Sequence, residues 1–491
     1  NLAPVMFMVL VVFLLLGYPV AFALGALGLT FGIVGIELGL LSVELYQALP
    51  ERVFGIMAND TLLAIPFFTF MGLILERSGM AEDLLDTIGQ LFGPVRGGLA
   101  YAVVFVGALL AATTGVVAAS VISMGLISLP IMLRYGYNRR LASGVIAASG
   151  TLAQIIPPSL VLIVLADQLG RSVGDMYAGA LLPGLVLTGL YTLYIFGKTM
   201  LDPTSGPALP PEARTLRGTK LFTRVLLVLV PPLALIFLVL GTIFLGIATP
   251  TEGGAMGATG AVILAMMNRR LSWSLLKQAM NTTAKLSSFV IFILIGATIF
   301  GLTFRGVSGD IWVEHLLTGL PGGQLGFLIV VNIMVFLLAF FLDFFELAFI
   351  IVPLLAPVAE KLGIDLIWFG VLLAVNMQTS FMHPPFGFAL FYLRSVAPAK
   401  EYTDKITNLR MAPITTGQIY WGAVPFVVIQ VIMVGIVIAF PRLVTMNLDR
   451  STVDSSNIEI VIPDSEGGAP AGEEAPPDFG GPGDDAPAAP K

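Results

Sequence analysis

A small set of prolines with one glycine occurs twice in this chain at the same spacing. The first set is Pro130, Gly136, Pro157 and Pro158, and the second lies 227 positions further along (357 − 130), at Pro357, Gly363, Pro384 and Pro385. In each copy a turn, an apolar helix and a small polar run separate the leading proline from the proline pair. Duplicated, interrupted helices in a long apolar chain are typical of transporters, whose binding sites lie at the interruptions. The repeat therefore predicts two related halves that together move a solute.

The composition places this repeat in a membrane. The chain is 57% hydrophobic and 11% charged, whereas an average soluble domain is about 25% charged. Apolar runs long enough to span a bilayer recur from Leu2 to Phe440, so most of the surface is expected to face lipid.

The chain has no cysteine and only two histidines. These counts exclude disulfides, thiolate metal sites and cysteine nucleophiles, and they disfavour haem and histidine-rich metal sites.

The apolar runs predict an all-α polytopic membrane protein with about eleven transmembrane helices and two re-entrant hairpins. Residues 1–200 form the first repeat, in which the run 99–133 is predicted to be a re-entrant hairpin (hairpin 1) followed by a helix, and 201–224 form a cytoplasmic linker. Residues 225–442 form the second repeat, where a span at 325–342 precedes hairpin 2 at 344–359. Residues 443–491 form a tail that contains nine acidic residues and one lysine after Arg450. This tail has too little apolar surface to fold and is predicted to be disordered, with a docking tail as the alternative.

Basic residues predict the orientation of the repeats. Clusters at 134–140, 198–224 and 269–277 can all lie in the cytoplasm if the intervening segments span the membrane. The loop at Gly136 is then cytoplasmic, and its counterpart at Gly363 is external. The two repeats are therefore predicted to be inverted.

Each proline pair is predicted to stop a helix at membrane depth. Two prolines remove two N–H donors and free the carbonyls of the preceding turn, which hydrocarbon tolerates only around a cavity or an ion. Carbonyl and hydroxyl oxygens together suit Na⁺. The alternative is a plain kink that neighbouring helices satisfy. The predicted ion ligands are Ser149, Gly150, Thr151 and Pro157 in the first copy and Asp343, Asn376, Thr379, Ser380, His383, Pro384 and Gly387 in the second.

Small hydroxyl residues in the first hairpin predict a place for the solute. Hairpin tips can offer N–H groups and hydroxyls to an anion, although small residues also permit close helix packing, and both interpretations stay open. The candidate substrate-binding residues are Thr113, Thr114, Gly115, Ser120 and Ser159.

Two carboxylates and one histidine stand out in the second half. Asp343 and Glu346 lie three residues apart in an apolar run, where charged groups are expensive and usually functional. They favour ion coupling or hairpin anchoring over catalysis, because no histidine or nucleophile is near them in sequence. His383 precedes the second proline pair; packing is the simpler interpretation, and a protonatable switch is the alternative.

Several motifs resemble the large membrane subunit of TRAP (tripartite ATP-independent periplasmic) transporters. They are residues 17–22 (GYPVAF), Gly150-Thr151 with 155–159 (IIPPS), and Leu342-Asp343 with Pro353 and Pro357. Residues 362–365 (LGID) and 384–392 (PPFGFALFY) resemble the mannitol/chloroaromatic branch. The resemblance covers residues 2–442.

The resemblance implies a Na⁺-driven, elevator-type importer of organic acids in the bacterial inner membrane. It implies two partners, a small four-helix membrane subunit and a periplasmic substrate-binding protein, and no cofactor apart from the coupling Na⁺. The first Na⁺ site would involve Thr113, Thr114 and residues 149–159, and the second Asp343 and residues 376–387. The family usually has threonine where this chain has His383, so a hydroxyl ligand is lost there.

Other classes of membrane protein require motifs that can be sought in the sequence. A stand-alone Na⁺/anion symporter or a channel remains the alternative. An intramembrane enzyme needs a nucleophile–base pair or a metal set, and an ATP-driven pump needs a phosphate-binding loop; the sequence contains neither. Nucleic acid is not an expected partner, whereas the lipid bilayer is.

Overall fold

The computed structural model describes residues 2–114, 117–340, 342–385, 387–404, 406–446 and 448, without the side chains of 112–114. Its helices are α1 Leu2–Leu15, α2 Val20–Glu37, α3 Leu49–Met57, α4 Ala64–Arg77, α5 Met80–Phe92, α6 Gly98–Thr114, α7 Val117–Arg134, α8 Arg139–Thr151, α9 Leu160–Leu169, α10 Val173–Leu201, α11 Gly218–Phe244, α12 Pro250–Met267, α13 Trp273–Gly306, α14 Gly309–Thr318, α15 Gly323–Leu338, α16 Phe344–Glu346, α17 Val352–Lys361, α18 Leu366–Gln378, α19 Phe388–Val396, α20 Thr416–Ala439 and α21 Arg442–Thr445.

Short elements connect these helices. A π-helical turn at Leu347–Ile351 joins α16 to α17. The 3₁₀ turns are Val43–Ala48, Leu152–Gln154, Pro203–Ser205, Pro211–Ala213 and Thr379–Phe381. The strands β1 Tyr402–Thr403 and β2 Arg410–Met411 pair antiparallel, with Tyr402 opposite Met411.

The described part of the chain contains six helices that are long and apolar enough to cross a membrane. They are α2, α7, α10, α11, α13 and α20, and the pair α14–α15, bent by 116°, makes a seventh if it counts as one span. Large apolar side chains stay exposed on these helices, for example Leu227 and Phe237, each 71% exposed. This pattern confirms the all-α polytopic membrane fold, and the number of about eleven spans stays a prediction.

Whole helices repeat at the same 227-residue spacing as the prolines. Helix α8 begins at Arg139 and ends at Thr151, and α18 begins and ends 227 positions later. Asn138 caps α8 and Asp365 caps α18, each through a side-chain oxygen that accepts two backbone N–H groups. Such caps satisfy donors that a helix start leaves free. The same local chemistry therefore builds the same element in each half.

The glycines before these caps also correspond. Gly136 has a φ of 78° and Gly363 a φ of 73°, in the left-handed region that glycine adopts without steric cost. Both proline pairs contain a cis peptide bond. The two halves thus share turn, cap, helix and break in the same order.

The position predicted for hairpin 2 is wrong. Residues 344–361 form one helical run through the π-helical turn, without a hairpin inside it. The 227-residue interval pairs this run with α7, and it pairs α15 with α6. The second hairpin therefore consists of α15 followed by α16 and α17. The supposed full span at 325–342 is its first arm, which ends at Leu338.

Two predicted boundaries also shift. Helix α11 begins at Gly218, so the last residues of the 201–224 linker are helical. Helix α21 includes residues 443–445, where Val444 is 1% exposed and packs against Gly179 of α10. The start of the predicted tail is thus folded. Residues 449–491 lie outside the described part of the chain.

The helices pack in two groups. The scaffold bundle consists of α2, α4, α12 and α13, and the core bundle of α7, α8, α9, α18 and α20. In α8 every residue from 141 to 151 is buried. Helices that are apolar on all sides belong in the centre of a protein, so the interrupted helices lie inside the core bundle.

Side-chain hydrogen bonds between described residues connect the scaffold side to the core bundle. Asn59, just before α4, donates from Nδ2 to Asp167 Oδ1 of α9 at 2.7 Å. Ser123 of α7 donates from Oγ to Glu76 Oε1 of α4 at 2.7 Å. Any sliding of the core bundle along the scaffold bundle must break both bonds.

Candidate functional site: two broken helices in the core bundle

The first break begins where α8 ends at Thr151. The 3₁₀ turn Leu152–Gln154 follows, and after Pro157 and Pro158 the chain resumes as α9. Ser159 caps α9, because its Oγ accepts from Leu162 N at 3.4 Å and donates to Gln154 O at 2.6 Å. The break is thus held by its own side chains.

The first hairpin approaches this break closely. A Cβ atom at Gly107 of α6 would lie 2.5 Å from Ser149 Cβ, and one at Gly150 would lie 2.3 Å from Val121 Cγ2 of α7. Because real Cβ atoms do not approach so closely, only glycine fits at either position. Both arms of the hairpin therefore press against the predicted ion ligands.

Unpartnered polar atoms lie at the same place. Ser149 Oγ and both side-chain atoms of Gln154, Oε1 and Nε2, are buried without a hydrogen-bond partner among the described residues. A buried polar group without a partner costs about 1–3 kcal/mol, so such atoms call for a ligand. Two of the three are oxygens, which hard cations such as Na⁺ prefer. Thr151, by contrast, donates from Oγ1 to Ala148 O at 2.8 Å.

In the second break, the predicted hydroxyl ligands bond to their own helix. Thr379 Oγ1 donates to Asn376 O and Ser380 Oγ donates to Met377 O, each at 2.6 Å. Asn376 Nδ2 donates to Asn332 O at 2.8 Å and to Asn332 Oδ1 at 3.0 Å on α15. The hydroxyls of Thr379 and Ser380 act only as donors in these bonds, so their oxygen lone pairs remain for a cation.

His383 packs between two aromatic rings. Its ring centroid lies 4.2 Å from those of both Phe336 and Phe340, and it is 1% exposed. Neither ring nitrogen has a hydrogen-bond partner in the described part of the chain. Gly387 N donates to His383 O at 2.6 Å and closes the turn around Pro384. These contacts agree with the packing interpretation; a role in ion binding stays a prediction.

Asp343 and Glu346 form a reciprocal cap at the start of α16. Glu346 N donates to Asp343 Oδ1 at 3.0 Å, and Asp343 N donates to Glu346 Oε2 at 3.1 Å. This capping box satisfies two N–H groups at a helix start. The next residue, Phe344, lies beside the second break, with its ring centroid 6.4 Å from that of Phe381. The helix cap is therefore observed, and both hairpin anchoring and ion coupling stay predictions for this pair.

A buried network that sequence reasoning missed joins the two breaks. Gln378 Nε2 donates to Thr151 Oγ1 at 3.1 Å, and Gln430 Nε2 of α20 lies 3.4 Å from the same oxygen. Gln430 Nε2 also donates to Tyr191 OH of α10 at 2.9 Å. One signal could have revealed Gln430: it is the single amide in the apolar run 421–440, and polar residues inside spans are usually functional.

The candidate substrate residues are only partly described. Gly115 and the side chains of Thr113 and Thr114 lie outside the described residues. Ser120 is fully buried on α7. The Ser159 hydroxyl proton is already donated to Gln154 O at 2.6 Å, so an anionic solute would compete with that carbonyl for it.

An ion pair holds the first hairpin to the β1–β2 loop, outside the membrane-spanning segments. Arg134, at the end of α7, donates from Nε and Nη2 to the two carboxylate oxygens of Asp404 at 2.9 and 2.8 Å. Thr407 adds an N–H and a hydroxyl donor at 2.9 and 2.8 Å. These donors hold the pKa of Asp404 well below its ordinary value, and the hydrogen bond from Arg134 has the largest effect.

The fold and the two breaks define a multi-pass membrane transporter. The solved structure of the YdaH transporter of Alcanivorax borkumensis has a similar fold, with a TM-score of 0.58 at 15% identity over 89% of this chain and 98% of that one. At this identity the likeness concerns the fold alone.

Sequence comparison then gives the family. The model of the DctM component of tripartite ATP-independent periplasmic transporters matches residues 7–443. The C4-dicarboxylate TRAP transporter large permease protein DctM of Pseudomonas aeruginosa is 33% identical over 73% of this chain and 82% of its own length. The isethionate TRAP permease protein DctMQ of Oleidesulfovibrio alaskensis is 30% identical over 82% of this chain, which spans 62% of that protein. The sialic acid large permease protein SiaM of Vibrio cholerae is 26% identical over 87% of this chain and 93% of its own.

This chain belongs to the DctM family, the large membrane component of TRAP transporters. It is a transporter component and not an enzyme, as the sequence predicts. The mannitol/chloroaromatic branch stays a prediction.

Proposed function

We propose that this chain couples inward Na⁺ movement to the import of an organic acid anion. The observation that carries the proposal is the pair of broken helices with buried side-chain oxygens that lack a partner, Ser149 Oγ and Gln154 Oε1 at the first break. Asp343 supplies a carboxylate beside the second break. Oxygen atoms at interrupted helices are the arrangement by which transporters hold Na⁺.

The proposed substrate is a small carboxylate. Relatives carry names that specify C4-dicarboxylates, sialic acid or isethionate, and all of these are organic anions. The N-termini of α7 and α9 add positive potential near the first break, and bound Na⁺ would add more. A site that holds only the carboxylate accepts solutes with different carbon skeletons. We therefore assign selectivity among solutes to the binding protein.

The proposed partners are a small four-helix membrane subunit and a periplasmic binding protein, in the inner membrane of a bacterium. The three-part composition in the family's description supports both partners. The DctMQ relative extends beyond the 62% that this chain spans, which leaves room for a second component in that protein.

We propose further that the repeats are inverted, with Gly136 cytoplasmic and Gly363 external. The equal spacing of caps and breaks supports two equivalent halves, and the basic clusters support opposite orientations. Because the chain has no cysteine, the test needs only single substitutions at exposed positions, Arg140→Cys and Lys361→Cys. A membrane-impermeant maleimide should label them from opposite sides. Labelling from the same side would contradict the inversion.

Uptake by the reconstituted system tests the coupling. Proteoliposomes that contain this chain and its small subunit, supplied with loaded binding protein, should take up solute only with an inward Na⁺ gradient. Equal uptake with choline in place of Na⁺ would overturn the proposal. Equal uptake without the binding protein would favour the alternative, a stand-alone symporter or a channel.

A further inference from the structure

A cavity of about 180 Å³ lies where the two bundles meet near the end of α9. The core bundle contributes Asp167 and Gln168, while α3 contributes Arg52 and α13 contributes Arg305. The scaffold bundle adds the apolar residues Leu24, Leu294 and Phe300, and the second hairpin adds Phe349 and Pro353. The cavity is thus a mixed pocket between the two groups of helices, separate from the breaks themselves.

The two arginines of this cavity have no carboxylate partner in the described part of the chain. Arg134, Arg171, Arg224 and Arg270 each lie within 4.0 Å of an acidic oxygen, whereas among the described residues Arg52 and Arg305 do not. Both are exposed at the cavity. A charge that is left unpaired beside an apolar wall is available for a ligand of opposite sign.

Among the described residues that line the cavity, Asp167 supplies the one carboxylate, and both of its oxygens are occupied. Asp167 Oδ1 accepts from Asn59 Nδ2 at 2.7 Å, and Asp167 Oδ2 accepts from Gln168 Nε2 at 2.9 Å. Two guanidinium groups and one carboxylate therefore line the cavity, and each carboxylate oxygen already accepts a hydrogen bond from a side-chain amide. The balance of charge in the lining is positive.

We propose that this cavity is an external anion site, which binds the carboxylate of the incoming solute before it reaches the broken helices. A guanidinium group binds a carboxylate through two parallel hydrogen bonds. A volume of about 180 Å³ is about six times the ~30 Å³ that one water occupies in the liquid, so it admits a solute of several heavy atoms. In the charge-derived orientation the loop at Gly136 is cytoplasmic, and one crossing through α8 and α9 then brings residues 167–175 to the outside, where the solute arrives. The inference rests on the proposed function for the direction of transport.

Chemical protection of the arginines tests the site directly. The protein in phosphatidylcholine vesicles is treated with phenylglyoxal, which modifies guanidinium groups, and each site is followed by mass spectrometry. Succinate and acetate should each slow modification of Arg52 and Arg305 at least threefold relative to erythritol at the same ionic strength. Arg171 is the matched control, because it is an exposed arginine near the same helix end that pairs with Glu360 at 3.1 Å. Its modification should not change. Equal rates with succinate and erythritol would overturn the proposal.

Matched variants give a second measurement. Succinate should raise the melting temperature of the wild type and of Arg171→Gln, and this rise should disappear in the double variant Arg52→Gln/Arg305→Gln. Since both side chains are exposed, the double variant should melt like the wild type without succinate. A retained succinate response in the double variant would contradict the site.

A lipid headgroup is the other anion that these arginines could meet. Repeating the labelling in phosphatidylglycerol vesicles separates the two sources. Protection by phosphatidylglycerol but not by succinate would identify a lipid contact and refute the solute site. If succinate protects while uptake ignores Na⁺, the proposed coupling fails and the anion site stands.

Discussion

Gln378 donates a hydrogen bond from Nε2 to Oγ1 of Thr151 at 3.1 Å, and the two residues occupy equivalent positions 227 residues apart. Residues that are related by an internal repeat meet only near the axis that relates the halves. The bond therefore marks the centre of the core bundle, where α8 and α18 each end. Gln430 of α20 and Tyr191 of α10 extend this hydrogen bond into a network. The network holds the two breaks as one unit.

Removing the Gln378 amide should weaken this unit. Gln378→Leu should lower the melting temperature and reduce uptake, because it leaves Thr151 with one fewer donor and a buried hydrogen bond contributes about 0.5–1.5 kcal/mol. The matched control is Gln278→Leu, at an exposed glutamine of α13, which should change neither. A double-mutant cycle with Thr151→Val should show coupling between the two sites. Strict additivity would contradict the assigned contact.

The unpartnered hydroxyl of Ser149 should serve Na⁺. Ser149→Ala should raise the Na⁺ concentration for half-maximal uptake about tenfold, which corresponds to about 1.4 kcal/mol. Ser143→Ala is the control on the same helix, because the Ser143 hydroxyl is buried but already donates to Arg139 O at 2.7 Å. An equal Na⁺ response in both variants would remove Ser149 from the ion site.

Charge and capping can be separated at Asp343. Asparagine caps a helix about as well as aspartate, so Asp343→Asn should keep the start of α16 while it removes the charge. Uptake by this variant should need more Na⁺ at an unchanged melting temperature. Asp343→Ala should also lower the melting temperature, since losing a cap costs about 0.5–2 kcal/mol. If Asp343→Asn leaves the Na⁺ response intact, Asp343 only anchors the hairpin.

The Arg134–Asp404 pair should make stability depend on pH in acid. Because the pKa of Asp404 is depressed in the folded protein, its contribution is complete above the unfolded pKa of about 3.9. It is lost as the pH falls further toward the folded value. Asp404→Asn should therefore melt lower than the wild type at pH 7, and the difference should shrink below about pH 4.

The exposed pair of Arg171 and Glu360 supplies the control for this prediction. Glu360 is 66% exposed, and exposed pairs contribute little, so Glu360→Gln should hardly change the melting temperature. A pH-independent deficit in Asp404→Asn would mean that packing, rather than charge, holds the loop.

Local chemistry explains what the sequence predicts correctly. Proline pairs, capping residues and glycine turns act over a few residues, so the breaks at Pro157 and Pro384 and the start of each following helix can be inferred. The interval between the copies extends that inference to whole helices.

Other features depend on contacts between distant residues. The bend before the second hairpin helix has no proline or glycine at 339–343, so the sequence pattern of 325–342 predicts one continuous span. The network of Thr151, Gln378 and Gln430 forms only when three helices pack. Arg52 and Arg305, 253 positions apart (305 − 52), come to one cavity for the same reason.

Na⁺ binding to the purified chain tests the central claim most directly, without partners or solute. A ligand that binds only the folded state stabilises it in proportion to the logarithm of its concentration. Na⁺ should therefore raise the melting temperature above that in equal K⁺ or choline. Ser149→Ala and Asp343→Asn should each remove part of that rise, and together most of it. Equal stabilisation by K⁺, or an undiminished Na⁺ effect in the double variant, would contradict two Na⁺ sites at the broken helices.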